Sequence, residues 1–220
     1  MPVNTASKTA FVLAGGGSLG AVEVGMLRAL AAVGVRPDFI VGASAGAING
    51  AHFVADPTQA GVARLEQVWR GITRRDVMPL GLRDLLRIAW RREYMVDPSG
   101  LRRLLEKHIG YRRLEEAAVP MHVVATDRQL GSEVLLSSSP VVDAVLASTA
   151  IPGVFPPVLI PVEQQGGTFD EMHVDGGVAS QVFICRPPLR PPTGKYLGVV
   201  FMQKLLREPP SMELSRCISQ

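Results

Sequence analysis

The pentapeptide Gly42-Ala43-Ser44-Ala45-Gly46 follows the apolar run Phe39-Ile40-Val41 and leads into the small residues Ala47 to Ala51. A serine at the tip of a sharp strand-to-helix turn exposes its hydroxyl above a sheet, ready to attack an acyl carbon. Glycines on both sides let backbone approach where a Cβ would clash. A plain small-residue turn in an alanine-rich chain carries the same pattern, so the rest of the sequence has to discriminate. A second cluster, Gly15-Gly16-Gly17-Ser18-Leu19-Gly20, lies between an apolar strand and a helix. Backbone N–H groups left unpaired at a helix start can face an anion. Beside a nucleophilic serine they would form an oxyanion hole, with donors fixed where negative charge develops. Gly15, Gly17 and Gly20 also match a dinucleotide-binding fingerprint, but that reading wants an acidic residue at the end of the second strand. Here the strand ends in Val41-Gly42, so the sequence implies no cofactor.

A serine needs a base, and the histidines are His52, His108, His122 and His173. An α/β-hydrolase places its histidine after the acid, and no histidine follows Asp175. His52 falls roughly two turns beyond Ser44 on the same expected helix, too far along it to take the serine proton. His122 and His173 sit on expected strands, where structural roles fit better. Asp175 ends an apolar stretch and precedes Gly176 and Gly177. At a strand end it could act as a base if partly desolvated, and it could equally be a plain Asp-Gly-Gly turn.

The positioning elements alternate as an α/β protein requires. Thr9 to Ala14 reads as a buried strand and about Leu19 to Val33 as a helix, with Val22, Met26, Leu27, Leu30 and Val33 on its apolar face and Gly34 as its cap. Phe39 to Val41 is a second strand, and the helix after Ser44 ends near Asp56-Pro57. Thr58 to Ile109 reads as mostly helical, broken at Gly71, Pro79 to Gly81 and Asp97-Pro98. His122 to Thr126 and Glu133 to Leu136 form a hairpin-like strand pair, and Val141 to Ser148 a helix. Pro152, Pro156, Pro157 and Pro161 predict an irregular segment, followed by a short strand into Asp175. Tyr196 to Met202 is a last expected strand, after a stiff linker carrying Pro187, Pro188, Pro191 and Pro192.

The 220 residues suit one domain over 1–206, with a frayed tail over 207–220. Hydrophobic residues make up 47% and aromatics only 5%, so the core is aliphatic. A net charge of +3, with no basic strip interleaved with aromatics, argues against a nucleic-acid partner. Cys185 and Cys217 lack metal-ligand spacing, and no metal site is expected. Without a signal-peptide layout they read as free thiols in a reducing compartment, which makes a cytoplasmic setting the expectation. Leu82, Leu85, Leu86 and Ala89 share a helical face among Arg83, Arg87, Arg91 and Arg92. Such a stripe fits a helix covering the core better than one lying on anionic lipid.

Four blocks in order resemble the patatin-like phospholipase family: the loop of Phe11 to Gly20, the turn Gly42 to Gly46, the segment Ala147 to Pro157, and Asp175-Gly176-Gly177. Ala125-Thr126-Asp127 with Gly131 also looks like the family's strand and turn. The resemblance implies a three-layer α/β/α sandwich with a mostly parallel central sheet and a Ser–Asp dyad that hydrolyses acyl esters of lipids. By it Ser44 is the nucleophile, Asp175 the base, and Gly15, Gly16 and Gly17 the oxyanion donors. Gly20, Gly42, Gly46, Gly176 and Gly177 support the motifs, and Ala147 to Pro157 buttresses the site. The implied partners are a lipid or acyl-ester substrate and, transiently, a membrane surface. The chain departs from the pattern at Leu19, where the family has Arg or Lys, and near Gln181, where it has Asn and Pro. Gln181, with a chain that ends soon after its last expected strand, leaves an alternative: a catalytically impaired lipid- or partner-binding module of the same fold.

Overall fold

The computed structural model describes residues 9–77, 94–164 and 167–177. The expected stripe at residues 82–92, Gln181, both cysteines, the last expected strand and the tail lie outside the described residues.

Six strands form one mixed sheet. β1 (Ala10–Leu13), β2 (Phe39–Ala43) and β3 (Met121–Asp127) run parallel, as crossovers through helices require. β4 (Glu133–Leu136) folds back on β3 as the expected hairpin. β5 (Val158–Gln164) and β6 (Gly167–Asp175) form a second antiparallel pair, which joins the sheet through β6 and β3. This is an α/β architecture with a parallel centre. Pro161 sits inside β5 rather than in an irregular segment, and the strand before Asp175 is long rather than short. Among the described residues β5 pairs only with β6, and a proline lacking its N–H is tolerated on an unpaired side of a strand.

The ladder on β3 places the two strand ends that matter. β4 covers one edge of β3 from Val123 to Thr126. The other edge is shared: β2 pairs as far as Ala43 with Val124, and β6 takes over with Asp175 opposite Ala125. β2 and β6 therefore meet end to end, bringing the residue after Ala43 to Asp175.

Helices α1 (Gly20–Ala32), α2 (Ala45–Ala55), α3 (Gln59–Gly71), α4 (Arg74–Val77), α5 (Ser99–His108) and α6 (Val141–Ser148) complete the described residues. α2 is the core helix: Ala47, Ala51, Phe53 and Val54 are buried, and Phe53 packs its ring against Phe11 of β1. Its small residues let it lie close against β1, β2 and β3. Thr58 caps α3 by accepting from the Gly61 N–H. Gly34 ends α1 in a left-handed conformation, as its position predicts. The buried face of α1 differs from the expected one: Glu23, Val24 and Leu27 are inside, while Val22 and Val33 are exposed. Apolar residues surround this helix, so periodicity alone could not choose its inner face.

Candidate active site

Ser44 stands between β2 and α2 with φ 50° and ψ −119°. It is the one non-glycine residue with positive φ among the described residues. Such backbone costs about 1–3 kcal/mol and persists only where its surroundings impose it. The carbonyl of Ser44 accepts from the Ala47 and Ile48 N–H groups, starting α2. Its side chain makes no capping bond, so the hydroxyl remains free for other work.

Close packing imposes the turn. A Cβ on Gly42 would lie 2.8 Å from the Ala47 Cα, and one on Gly46 only 2.2 Å from the Leu13 carbonyl oxygen. Backbone of β1, the serine turn and the first turn of α2 therefore touch directly. The same approach sets Gly15 against the serine: a Cβ there would meet the Ser44 Cβ at 3.1 Å and its Oγ at 3.8 Å. Gly16 leads into the short 3-10 turn Gly17–Leu19, and Gly17 is exposed with φ 57°.

Asp175 arrives at the end of β6, nearly buried. Its N–H donates to the Ala150 carbonyl at 3.0 Å, and its carbonyl accepts from the Thr126 hydroxyl at 2.9 Å. The Gly177 N–H donates to Oδ1 at 2.7 Å, so the Asp-Gly-Gly turn orients the carboxylate. Burial raises the carboxyl pKa above its ordinary value, while the hydrogen bond from the Gly177 N–H and the nearby Ser44 hydroxyl pull it back. Burial is the larger effect, so this carboxylate is a stronger base than a solvated one. Behind it, a Cβ on Gly176 would lie 2.5 Å from the Val124 carbonyl oxygen.

The histidines stay apart from this arrangement, as expected. His52 is on α2, with burial followed by His108 and Arg64 lowering its pKa. His122 Nδ1 meets the Ser137 hydroxyl at 2.7 Å, and His173 Nδ1 its own strand at the Glu171 carbonyl.

Sequence reasoning expected Ala147 to Pro157 as a wall but did not single out Ser148. Its hydroxyl is buried, accepts from the Ser44 N–H at 2.8 Å and donates to the Val124 carbonyl at 2.5 Å. It ties the serine turn to β3. Ser148→Ala is expected to destabilise the protein by about 1–3 kcal/mol, because the Ser44 N–H loses this acceptor. A urea midpoint equal to wild type would contradict that role. Asn49, Glu23 and Trp69 were also missed. Asn49 Nδ2 donates to Glu23 Oε2 and to the Gly20 carbonyl, and Trp69 Nε1 donates to Asn49 Oδ1. An asparagine in an otherwise apolar, small-residue helix was the available signal.

Comparison with known proteins agrees with this geometry. A family model described as patatin-like phospholipase matches residues 11–184. The chain is 26% identical over 175 residues to patatin-like phospholipase domain-containing protein 7 of Rattus norvegicus, which covers 78% of this chain and 13% of that protein. It is 22% identical over 178 residues to neuropathy target esterase sws of Drosophila melanogaster, covering 81% of this chain and 12% of that protein. The chain thus spans a small fraction of these relatives' length. Among solved structures, VipD from Legionella pneumophila superposes with a TM-score of 0.50 at 15% identity, over 79% of this chain and 46% of that one, a likeness of fold. The turn, loop and strand end assembled above all fall inside the matched span: the chain belongs to the patatin-like phospholipase family.

Proposed function

We propose that this chain is a serine lipid acyl hydrolase of the phospholipase A, lysophospholipase or esterase type, working through a Ser44–Asp175 dyad. The observation that carries the reading is a strained serine at the end of β2, brought by the shared edge of β3 beside a buried aspartate whose carboxyl burial pushes up. Asp175 takes the Ser44 proton as Oγ bonds to the acyl carbon. The N–H groups of Gly15, Gly16 and Gly17 receive the charge on the carbonyl oxygen. The C–O bond to the alcohol breaks, the alcohol leaves with the proton from Asp175, and an acyl-serine remains. Water then gives its proton to Asp175 and attacks the ester, releasing the acid and restoring Ser44. The relatives' names, phospholipase and esterase, support acyl esters of lipids as substrates. Such substrates are presented in aggregates, so contact with a lipid surface during turnover is part of the proposal.

A fluorophosphonate probe, together with hydrolysis of a p-nitrophenyl acyl ester, tests it. Wild type is expected to be labelled and to turn over, and Ser44→Ala to do neither. Labelling or turnover that survives in Ser44→Ala sinks the assignment, and a wild type that is never labelled favours the non-catalytic binding module. A lipid panel with product identification then sorts the ester types.

A further inference from the structure

The glycine loop is held where it enters α1 by one buried side-chain network. Asn49 of α2 donates through Nδ2 to the Gly20 carbonyl at 2.9 Å, where the loop ends. The same nitrogen donates to Glu23 Oε2 at 2.9 Å, and the Ala14 backbone, where the loop begins, also favours the charged form of that carboxyl. Trp69 of α3 donates to Asn49 Oδ1 at 2.7 Å and lays its ring against Gly20, where a Cβ would meet Cζ2 at 2.8 Å. An indole N–H only donates and a backbone carbonyl only accepts, so these partners fix which end of the Asn49 amide faces Glu23. That end is a donor. Glu23 must therefore accept from Asn49, and it does so almost wholly buried.

We propose that Glu23 is a positioning residue for the glycine loop, holding its far end through Asn49 and Gly20, and holding it best as the carboxylate. The proposal rests on the reading of that loop as the oxyanion hole. A carboxylate offers both oxygens as acceptors, whereas its acid form must turn one O–H toward a site crowded by donors. Burial pushes the Glu23 carboxyl up to about 7, against the pull of the Asn49 hydrogen bond and the Ala14 backbone. Its charge thus changes near neutral pH. The groups that set its titration are neutral ones on α2 and at the end of β1. Of the charged groups on the elements packed around it, Arg28 of α1 and Arg70 of α3 pair with Glu66 at the surface, Arg64 of α3 pairs with Asp56, and His52 of α2 interacts with His108, Arg64 and Asp56. β1 carries no titratable side chain.

The test compares wild type, Glu23→Gln and Trp69→Phe from pH 5.5 to 9. Hydrolysis of p-nitrophenyl butyrate gives kcat and KM, and amide hydrogen exchange over Ala14 to Gly20, corrected for intrinsic pH dependence, gives a readout that needs no turnover. A glutamine carries no charge and can turn an amide N–H toward the Asn49 donor. Glu23→Gln is expected to lower kcat about tenfold or more at nearly unchanged KM, and to lose the inflection near pH 7. Loop protection in wild type is expected to fall about tenfold between pH 8 and pH 6, and in Glu23→Gln to be low at both. If Glu23→Gln does not fold, Trp69→Phe decides: freeing the Asn49 amide is expected to lower kcat and loop protection together. A variant with wild-type kcat, inflection and loop protection overturns the proposal. Wild type with the expected exchange behaviour but no Ser44-dependent hydrolysis instead overturns the proposed function and leaves the clamp standing.

Discussion

Asp175→Asn is expected to lower kcat for ester hydrolysis by about 10²–10⁴-fold, the range a positioned general base supplies. Asparagine keeps the shape and can still accept from the Gly177 N–H that holds Oδ1, but it cannot take a proton from Ser44. The two pH dependences run in opposite directions. Burial raises the folded-state pKa of Asp175 above its unfolded value. Folding therefore favours the protonated form: the associated stability is full below the unfolded pKa and is lost as pH rises through the folded one. Activity needs the carboxylate, so it rises over that same upper limb. Asp175→Asn is consequently expected to unfold in urea at or above the wild-type midpoint at pH 8 while turning over far more slowly. A variant that loses stability and activity together would mark Asp175 as a structural turn residue. A dyad aspartate kept buried at some cost in stability gives the other pattern.

Gly46→Ala is expected to remove about 3 kcal/mol of stability or more, a large share of what a domain of this size possesses. The added methyl would sit 2.2 Å from the Leu13 carbonyl oxygen, 2.4 Å from its carbon and 2.8 Å from the Ala14 carbonyl oxygen. None of these atoms belongs to a side chain that could rotate away, so either β1 or the first turn of α2 must move. Movement there also separates Gly15 from Ser44, and ester hydrolysis should fall further than stability. Gly25→Ala is the matched control. It lies exposed within α1, an added Cβ meets nothing within 4 Å, and alanine suits a helix better. Gly25→Ala is expected to be neutral or to stabilise by about 0.5–1 kcal/mol. Thermal melts of the two variants side by side measure the contrast, and equal melting temperatures would refute the packing argument.

Much of the site was legible because its chemistry is local. The strand-to-helix transition around Ser44, the glycines that allow it and the cap at Gly34 follow from short-range rules of backbone conformation. Histidine order removed a Ser-His-Asp arrangement without any structure. The hairpin of β3 and β4 and helix α6 were equally plain from periodicity and turn residues. Proline content misled over β5, because no local rule states that a strand lies on an edge. The inner face of α1 was read only in part: Leu27 and Leu30 pack inward, Val22 and Val33 do not, and Glu23 was passed over because a buried carboxylate looks like surface until its partner is known.

The sequence by itself determined the turn around Ser44 and the glycine loop, since each depends on residues adjacent in the chain. Tertiary structure alone decided that Ser44 and Asp175 meet. They are far apart in the chain, and only the shared edge of β3, with β2 ending at Val124 and β6 at Ala125, brings them together. It also decided the supporting roles of Ser148, Asn49, Trp69 and Glu23, whose partners lie on other elements. A polar side chain becomes informative only when folding removes its water and supplies a specific partner instead.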